Sequence, residues 1–362
     1  MLKAYAIEDL KPGMIVGRDV MDPTGLPLLN AGTVLTNKII FDLLDRPIFS
    51  IYVDDQKEVP DAIAPSHEHL LDDVYVGQYQ LVYEEALSLF MRLRDTGKVD
   101  LSLVDEIIEP LTSEQMTGGI RAISQIHNMN RSGSYLVHHG IHVAILAGFL
   151  GRVLELPKAQ RDDLILAGLF IDCGKVRIPD DILEKKGRLT DEEFQEIRRH
   201  PEYGYEMLKA TPLGANREIL LGVLQHHECC DGSGYPFGSR GDEISDFGRI
   251  LAILDIYDAM AADRSYARRH SPFDIFQILM DDILAGKLDT HYGIPFIRNL
   301  CRDLNGSWVK LTTGEKGRIV YIDESRVSSL PIVQTTKNKF YDLNKEKDVH
   351  IEQILTAEEA GE

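Results

Sequence analysis

The chain has 362 residues, with 39 Lys and Arg against 58 Asp and Glu and a formal net charge of −19. That length accommodates two or three domains, and the carboxylate surplus argues against a general DNA- or RNA-binding surface, which must neutralise phosphates with basic side chains. Four cysteines, Cys173, Cys229, Cys230 and Cys301, show no disulfide framework and point to a cytoplasmic, reducing compartment. No apolar run reaches membrane-spanning length, so membrane insertion is not expected, and Met1-Leu2-Lys3-Ala4-Tyr5 lacks a signal-peptide core.

Residues 1–57 alternate short apolar runs with Pro12-Gly13, Pro23-Thr24-Gly25 and Gly32, and end in a strand-like segment at 48–53; they read as a small β-rich N-terminal module. Residues 58–117 read as a linker and helical neck. Positions 58–68 form the linker, and helical patterns at 70–94 (Val74, Val76, Leu81, Leu87, Leu89, Phe90) and 101–111 form a neck that either pairs in a homodimer or packs back on the helices C-terminal to it. A helix over 135–152 carries His138, His139 and His142, placed three and four apart so that pairs share a face. An apolar helix over 164–171 runs into Asp172-Cys173-Gly174-Lys175, with Gly174 as its stop and Asp172 in its last turn. Thr190 with Glu193 has capping-box spacing for a helix running to His200, where Pro201 breaks it. The apolar helix at 250–256 contains Asp255 and is followed by Asp258. Residues 304–362 read as a β-rich C-terminal module, with strands at 308–311, 316–322 and 332–335 and a frayed tail.

The charged residues inside apolar helices carry the chemistry. Burying Asp172 or Asp255 without a partner costs several kcal/mol, on the order of 2–7 for a polar group and more for a charge. A metal ion supplies the missing positive charge. The chain offers His139, Asp172, His200, His226, His227 and Asp255 as ligands from five segments. Imidazoles mixed with carboxylates suit iron, manganese or zinc better than calcium or magnesium. Neither a Cys-x-x-Cys nor a His-Glu-x-x-His pattern occurs. His226-His227-Glu228 leads into Asp231-Gly232-Ser233-Gly234-Tyr235-Pro236, a loop whose glycines let backbone approach a ligand closely.

The ordered pieces are His139, Asp172-x-Gly174-Lys175-x-x-Ile178-Pro179, His200-Pro201-x-x-Gly204, His226-His227-Glu228-x-x-Asp231-Gly232-Ser233-Gly234-Tyr235-Pro236, Arg249-Ile250, Asp255-x-Tyr257-Asp258-Ala259-Met260 and Arg264-x-Tyr266. With them, residues 118–303 resemble an HD-GYP domain. The resemblance implies a mainly α fold: a helical HD-type metal-binding bundle flanked by small β-rich N- and C-terminal modules. It also implies metal-dependent hydrolysis of cyclic di-GMP to pGpG and GMP through a metal-activated hydroxide, with two Fe or Mn per chain, Zn being chemically acceptable. Asp172 and Lys175 are then the catalytic candidates. Tyr235, Asp258 and Arg264 are the substrate-binding candidates, Arg264 with Lys175 for the phosphates and Asp258 for a guanine edge, a proton relay or a ligand histidine. Partners such as diguanylate cyclases are further expectations of the resemblance.

Departures set an alternative beside this reading. Ile171 stands where the His of the His-Asp pair belongs, leaving the second metal only His139, Asp172 and Asp255, and one ion per chain if that site is lost. His142, one turn from His139, is a substitute ligand or, the favoured reading, a hydrogen-bonding residue. Tyr135 replaces the glutamate of three-metal members, and Ala267 a basic residue, with Arg268 and Arg269 following. The alternative function is a degenerate HD-GYP protein that binds cyclic di-GMP or a protein partner without cleaving it.

Overall fold

The computed structural model describes residues 2–6, 10, 14–21, 27–35, 39–40, 43, 50–54, 73–118, 134–183, 185, 187–261, 271–323, 326–327, 329–355 and 357–360. It is mainly helical, with strand-rich segments at either end. Strand β1 (Leu2–Ala6) pairs antiparallel with β4 (Ser50–Asp54), and β2 (Val20–Met21) with β3 (Pro27–Leu29). Ile51 and Val53 alternate inward and join Val16, Val20 and Leu35 in a small core of their own.

Helix α1 (Asp73–Thr96) uses only part of the apolar stock expected of it: Leu89 and Phe90 are buried and Leu87 is partly buried, but Val76 is exposed. Leu81 is 64% exposed, whereas Tyr75, Tyr79, Val82, Ala86, Leu89, Phe90 and Leu93, spaced three and four apart, are buried. That stripe packs back against α4 (Tyr135–Val153), the second of the two arrangements expected for the neck. Between them come α2 (Leu101–Leu111) and α3 (Glu114–Thr117). Helix α4 is long and apolar enough to cross a bilayer, but it is the central element of the core, buried from Val137 to Gly151.

Three glycines set the spacing between the helices that carry the site. A Cβ on Gly140 of α4 would stand 2.5 Å from the carbonyl oxygen of Leu169, and one on Gly168 would stand 3.1 Å from Ala144. Helix α4 and helix α5 (Lys158–Leu169) therefore approach backbone to backbone. Helix α5 ends at Leu169 rather than 171, and Asp172 is the residue before a 3-10 turn, Cys173–Arg177. In that turn a Cβ on Gly174 would collide with the carbonyl oxygen of His200 and lie 2.5 Å from the Gly204 amide.

Helix α6 (Asp180–Leu183) is a single turn, and α7 (Asp191–Ile197) starts on the expected capping box at Thr190 and Glu193. It stops at Ile197, however, and Pro201 begins α8 (His200–Lys209) rather than breaking α7. Proline suits the first turn because its missing N–H has no acceptor there in any helix. Helix α9 (Arg217–Gln225) delivers His226 and His227 at its C-terminal end, and α10 (Asp246–Ala261) carries Asp255 and Asp258. Helices α11 (Pro272–Leu284) and α12 (Thr290–Asp303) close the bundle.

The C-terminal sheet has the order β8 (Phe340–Asp342), β7 (Ile332–Thr335), β6 (Lys316–Tyr321), β5 (Trp308–Leu311), β9 (Ile351–Ile354), all neighbours antiparallel. Two of its strands, at 340–342 and 351–354, are absent from the sequence reading because they are short and flanked by polar residues. Val309, Leu311, Ile319, Val333, Ile351 and Ile354 join the main core, so this module shares apolar packing with the bundle. In place of a wholly frayed tail, residues Ala357–Ala360 form one helical turn, α13.

The glycine spacing predicts that Gly174→Ala, by overpacking, lowers stability by about 3 kcal/mol. Gly77→Ala in α1, where a Cβ meets nothing within 4 Å, leaves stability equal or higher. Urea unfolding midpoints of the two variants check this, and equal midpoints would show that the close approach carries no weight.

Candidate metal centre

Four of the expected ligands form a compact cluster: a ligand atom from each of Asp172, His200, His226 and His227 lies within 4.8 Å of every other. Asp172 is 3% exposed. Its Oδ1 lies 3.0 Å from His200 Nε2 and 3.9 Å from His226 Nε2. Its Oδ2 faces the other way, 3.5 Å from His139 Nε2 and 2.5 Å from Lys175 Nζ. Asp255 completes a second group, with Oδ1 3.1 Å from His139 Nε2 and Oδ2 3.5 Å from His227 Nδ1. Asp172 thus stands between two groups of donors, as the sequence leads one to expect of a shared carboxylate.

The tautomers suit the first group to a cation. His200 Nδ1 donates to the carbonyl of Ile197 at 2.8 Å, and His226 Nδ1 donates to that of Val223 at 2.7 Å. A carbonyl only accepts, so each Nδ1 carries the hydrogen, and a neutral ring keeps its Nε2 lone pair free. Those two Nε2 atoms lie 3.2 Å apart, both turned toward the Asp172 carboxylate. Burial, with His227 and His200 adding to it, holds His226 well below the usual imidazole range, and burial pushes His227 down to about 4. Burial alone would raise Asp172, yet Lys175 and His200 keep its carboxyl well below the usual range. Lone pairs and a carboxylate converging in a buried space fit a divalent transition ion with nitrogen and oxygen ligands.

The second group is poorer. Ile171 is fully buried in the apolar core and contributes no donor, so this side has His139, Asp172 and Asp255. Three protein ligands still suffice for a catalytic metal with an open position. His142 does not fill the gap: its Nδ1 donates to Asp258 at 2.9 Å, and its Nε2 lies 3.0 Å from the Tyr79 hydroxyl. It is a hydrogen-bonding residue, as favoured, but bonded to side chains rather than to nearby backbone. Tyr135, where a third metal would need a glutamate, stacks on His139 with centroids 5.7 Å apart.

Asp258 requires a correction. Expected among the substrate contacts, it is fully buried, and its two oxygens receive Nδ1–H bonds from His139 at 2.7 Å and His142 at 2.9 Å. Burial alone would raise it, but His142 and His139 hold it far below the carboxylate range. Of its three expected roles, contact with a histidine of the site is the one the geometry supports. Arg264 lies outside the described residues, as do Tyr266, Ala267, Arg268 and Arg269.

The loop after His227 is held by a residue that sequence reasoning passed over. Glu228, buried, accepts from the amides of Phe237 at 2.8 Å and Ser239 at 3.0 Å. A Cβ on Gly234 would collide with backbone of Cys229, His227 and Glu228, so the loop folds directly onto the His-His-Glu segment. Tyr235 thereby stacks on His227 with centroids 4.6 Å apart, and the Arg198 guanidinium lies 4.5 Å from the Tyr235 ring centroid. Among the described residues Arg198 has no carboxylate partner. Only its place two residues before His200 could have flagged it. Arg249, by contrast, is tied to Asp289 at 2.8 Å and to Asp246, a structural clamp between α10 and α12.

A family model described as an HD domain matches residues 120–291. The chain is 31% identical over 237 residues to a cyclic di-GMP phosphodiesterase of Pseudomonas aeruginosa, covering 65% of this chain and 56% of that protein. It is 36% identical over 194 residues to the cyclic di-GMP phosphodiesterase response regulator RpfG of Xanthomonas campestris, covering 52% and 46%. Residues 120–291 belong to the HD-domain family. A 3'3'-cGAMP-specific phosphodiesterase of Vibrio cholerae is 30% identical over 240 residues, covering 64% and 41%. The chain spans about half the length of these relatives. A solved HDG"Y"P protein from Bdellovibrio bacteriovorus aligns with 84% of this chain and all of its own, at 16% identity and a TM-score of 0.48. An HD domain implies divalent-metal binding, and the cluster around Asp172 is the candidate for it.

In the metal-free protein, burial would depress His139, but Asp255, Asp258 and Asp172 outweigh it and raise the imidazole to about 10. Stability from that protonated ring is complete below its ordinary value of 6.5 and is lost as pH rises through about 10. A metal facing His139 must displace this proton. Calorimetric Mn2+ titration at pH 7 in two buffers of different ionisation enthalpy should show about one proton released on filling that side. Buffer-independent heats would contradict this assignment.

Proposed function

We propose that this chain is a metal-dependent phosphodiesterase that hydrolyses cyclic di-GMP to pGpG and GMP. The observation that carries the reading is the convergence of His200 Nε2, His226 Nε2 and Asp172 Oδ1 in a buried space. His227 completes the first group of ligands, and His139 and Asp255 share Asp172 in the second. A divalent ion supplies positive charge for the phosphoryl oxygens and acidifies a coordinated water at neutral pH. Fe or Mn suits this donor set, with Zn acceptable, and the second ion is the weaker because Ile171 contributes nothing.

The protein's own groups do the positioning. Entry lies on the side of Lys175, His227 and Asp255, whose side chains keep 25%, 23% and 15% of their surface exposed. Lys175 keeps one N–H on Asp172 and has further N–H donors for a phosphoryl oxygen. Arg198 offers a planar guanidinium that can grip two oxygens at once, and Tyr235 offers a ring face beside His227. In hydrolysis the water oxygen bonds to phosphorus, the bond to the ribose 3'-oxygen breaks, and that oxygen leaves with a proton. Cationic groups at the mouth matter in a chain of net charge −19 because they reverse the field locally for an anionic dinucleotide. Free thiols at Cys173, Cys229, Cys230 and Cys301 support a cytoplasmic setting.

The test is turnover by anaerobically prepared protein with Fe2+ or Mn2+, offering cyclic di-GMP and 3'3'-cGAMP in parallel. Cleavage of cyclic di-GMP is expected, with Asp172→Asn reducing kcat by at least about a hundredfold and Arg198→Ala raising KM about tenfold. Binding of cyclic di-GMP without cleavage, unchanged by Ile171→His, would replace this reading with the non-cleaving alternative. Cleavage of 3'3'-cGAMP alone would replace the substrate.

A further inference from the structure

Resting on the metal-site reading above, we infer that Tyr79 is a positioning residue for the His139 imidazole, acting through His142 and Asp258. Tyr79 belongs to α1, which precedes the HD-matched residues 120–291. Its side chain is 1% exposed, and its hydroxyl lies 3.0 Å from His142 Nε2 and 2.7 Å from His138 Nδ1. His142 in turn donates from Nδ1 to Asp258, and the other oxygen of Asp258 receives Nδ1–H of His139. His139 Nε2 faces Asp172 and Asp255. Every member of this series is buried, so no water replaces a lost partner.

The direction of the bonds follows from chemistry. An ionised Asp258 only accepts, so both imidazoles present Nδ1–H to it. A neutral His142 then has a lone pair on Nε2, which the Tyr79 O–H satisfies, and the Tyr79 oxygen accepts from His138. Stacking supports the same alignment: Tyr79 and His138 lie 8° from parallel, and Tyr83 of α1 stacks on His138 with centroids 4.4 Å apart. Removing the hydroxyl leaves His142 Nε2 without this donor, so the ring gains nothing by keeping its present rotamer. The donor that His142 gives to Asp258 is then no longer fixed, and the carboxylate that anchors the His139 ring is held less firmly. Partners one bond removed from a metal ligand commonly change metal affinity 10–100-fold. Docking of α1 is thereby built into the metal centre, although α1 contributes no ligand.

Equilibrium dialysis of the full-length protein against Mn2+ tests the inference. Tyr79→Phe should weaken the ion facing His139 about tenfold and leave the ion at His200, His226 and His227 within about twofold. Tyr75→Phe, which removes another buried tyrosine hydroxyl from the same helix, should change neither. In an Asp258→Asn background Tyr79→Phe should add nothing, because the link it acts through is already cut. Should Tyr79→Phe fail to fold, His142→Leu carries the same expectation. Coincident isotherms for wild type and Tyr79→Phe, or an undiminished effect in the Asp258→Asn background, overturn the inference while the metal reading stands. A wild type that binds no Mn2+ overturns both.

Discussion

A buried carboxylate is tolerable only where positive charge and hydrogen-bond donors surround it, and Asp172 is 3% exposed at the junction of α5 with the 3-10 turn at Cys173–Arg177. Lys175 contributes one ammonium, and His200 and His139 turn ring nitrogens toward its two oxygens. His200 and His226, however, spend their N–H groups on backbone carbonyls and present lone pairs. The lysine offsets the charge of the carboxylate, whereas the converging nitrogen lone pairs still face one another, and a cation among them completes the balance. The rest of the bundle is arranged so that this balance can be struck in an apolar interior.

Helix packing supplies the distances. Glycine at 140 and 168 lets α4 and α5 touch along their backbones, and glycine at 174 lets the turn after Asp172 rest on the first residues of α8. A methyl group at any of these positions would part the elements that bring His139, Asp172 and His200 together. Asn216 fixes the start of α9 by accepting from the amides of Glu218 and Ile219, and nine residues of helix then end at the paired histidines. Glu228 does the same service for the loop after it, which seats Tyr235 on His227. His139, His200 and His226 are each held from behind by an Nδ1–H hydrogen bond, to Asp258, Ile197 and Val223.

Residue type made most of the cluster legible in the sequence. Imidazoles and carboxylates inside apolar helices have few structural uses, so His139, Asp172, His200, His226, His227 and Asp255 stood out, and the structure brings all six together. Asp258 is equally polar, and spacing alone leaves it open to a guanine edge, a proton relay or a ligand histidine, because it does not say which oxygen faces a histidine. Pro201 reads as a breaker from sequence, although proline is as much at home at a helix start. The tyrosine stripe of α1 is not legible from aliphatic periodicity, because tyrosine is as often half-exposed as buried, and Tyr79 with its link to His142 goes with it. Arg198 acts through Tyr235, 37 residues further on, and Glu228 through amides 9 and 11 residues further on, contacts that residue type alone does not reveal. Arg264, the remaining candidate for phosphate, lies outside the described residues.

Ile171 makes the two sides of the centre unequal. The first side keeps three imidazoles and Asp172; the second keeps one imidazole and two carboxylates, with His142 engaged by Asp258 and Tyr79 rather than free to help. The most direct measurement is anomalous diffraction at the manganese edge from crystals grown with Mn2+. A strong peak bounded by Asp172, His200, His226 and His227 is predicted, with any second peak weaker and beside His139 and Asp255. No anomalous density inside the Asp172 cluster, at Mn2+ concentrations that load surface carboxylates, would contradict a metal centre built on that carboxylate.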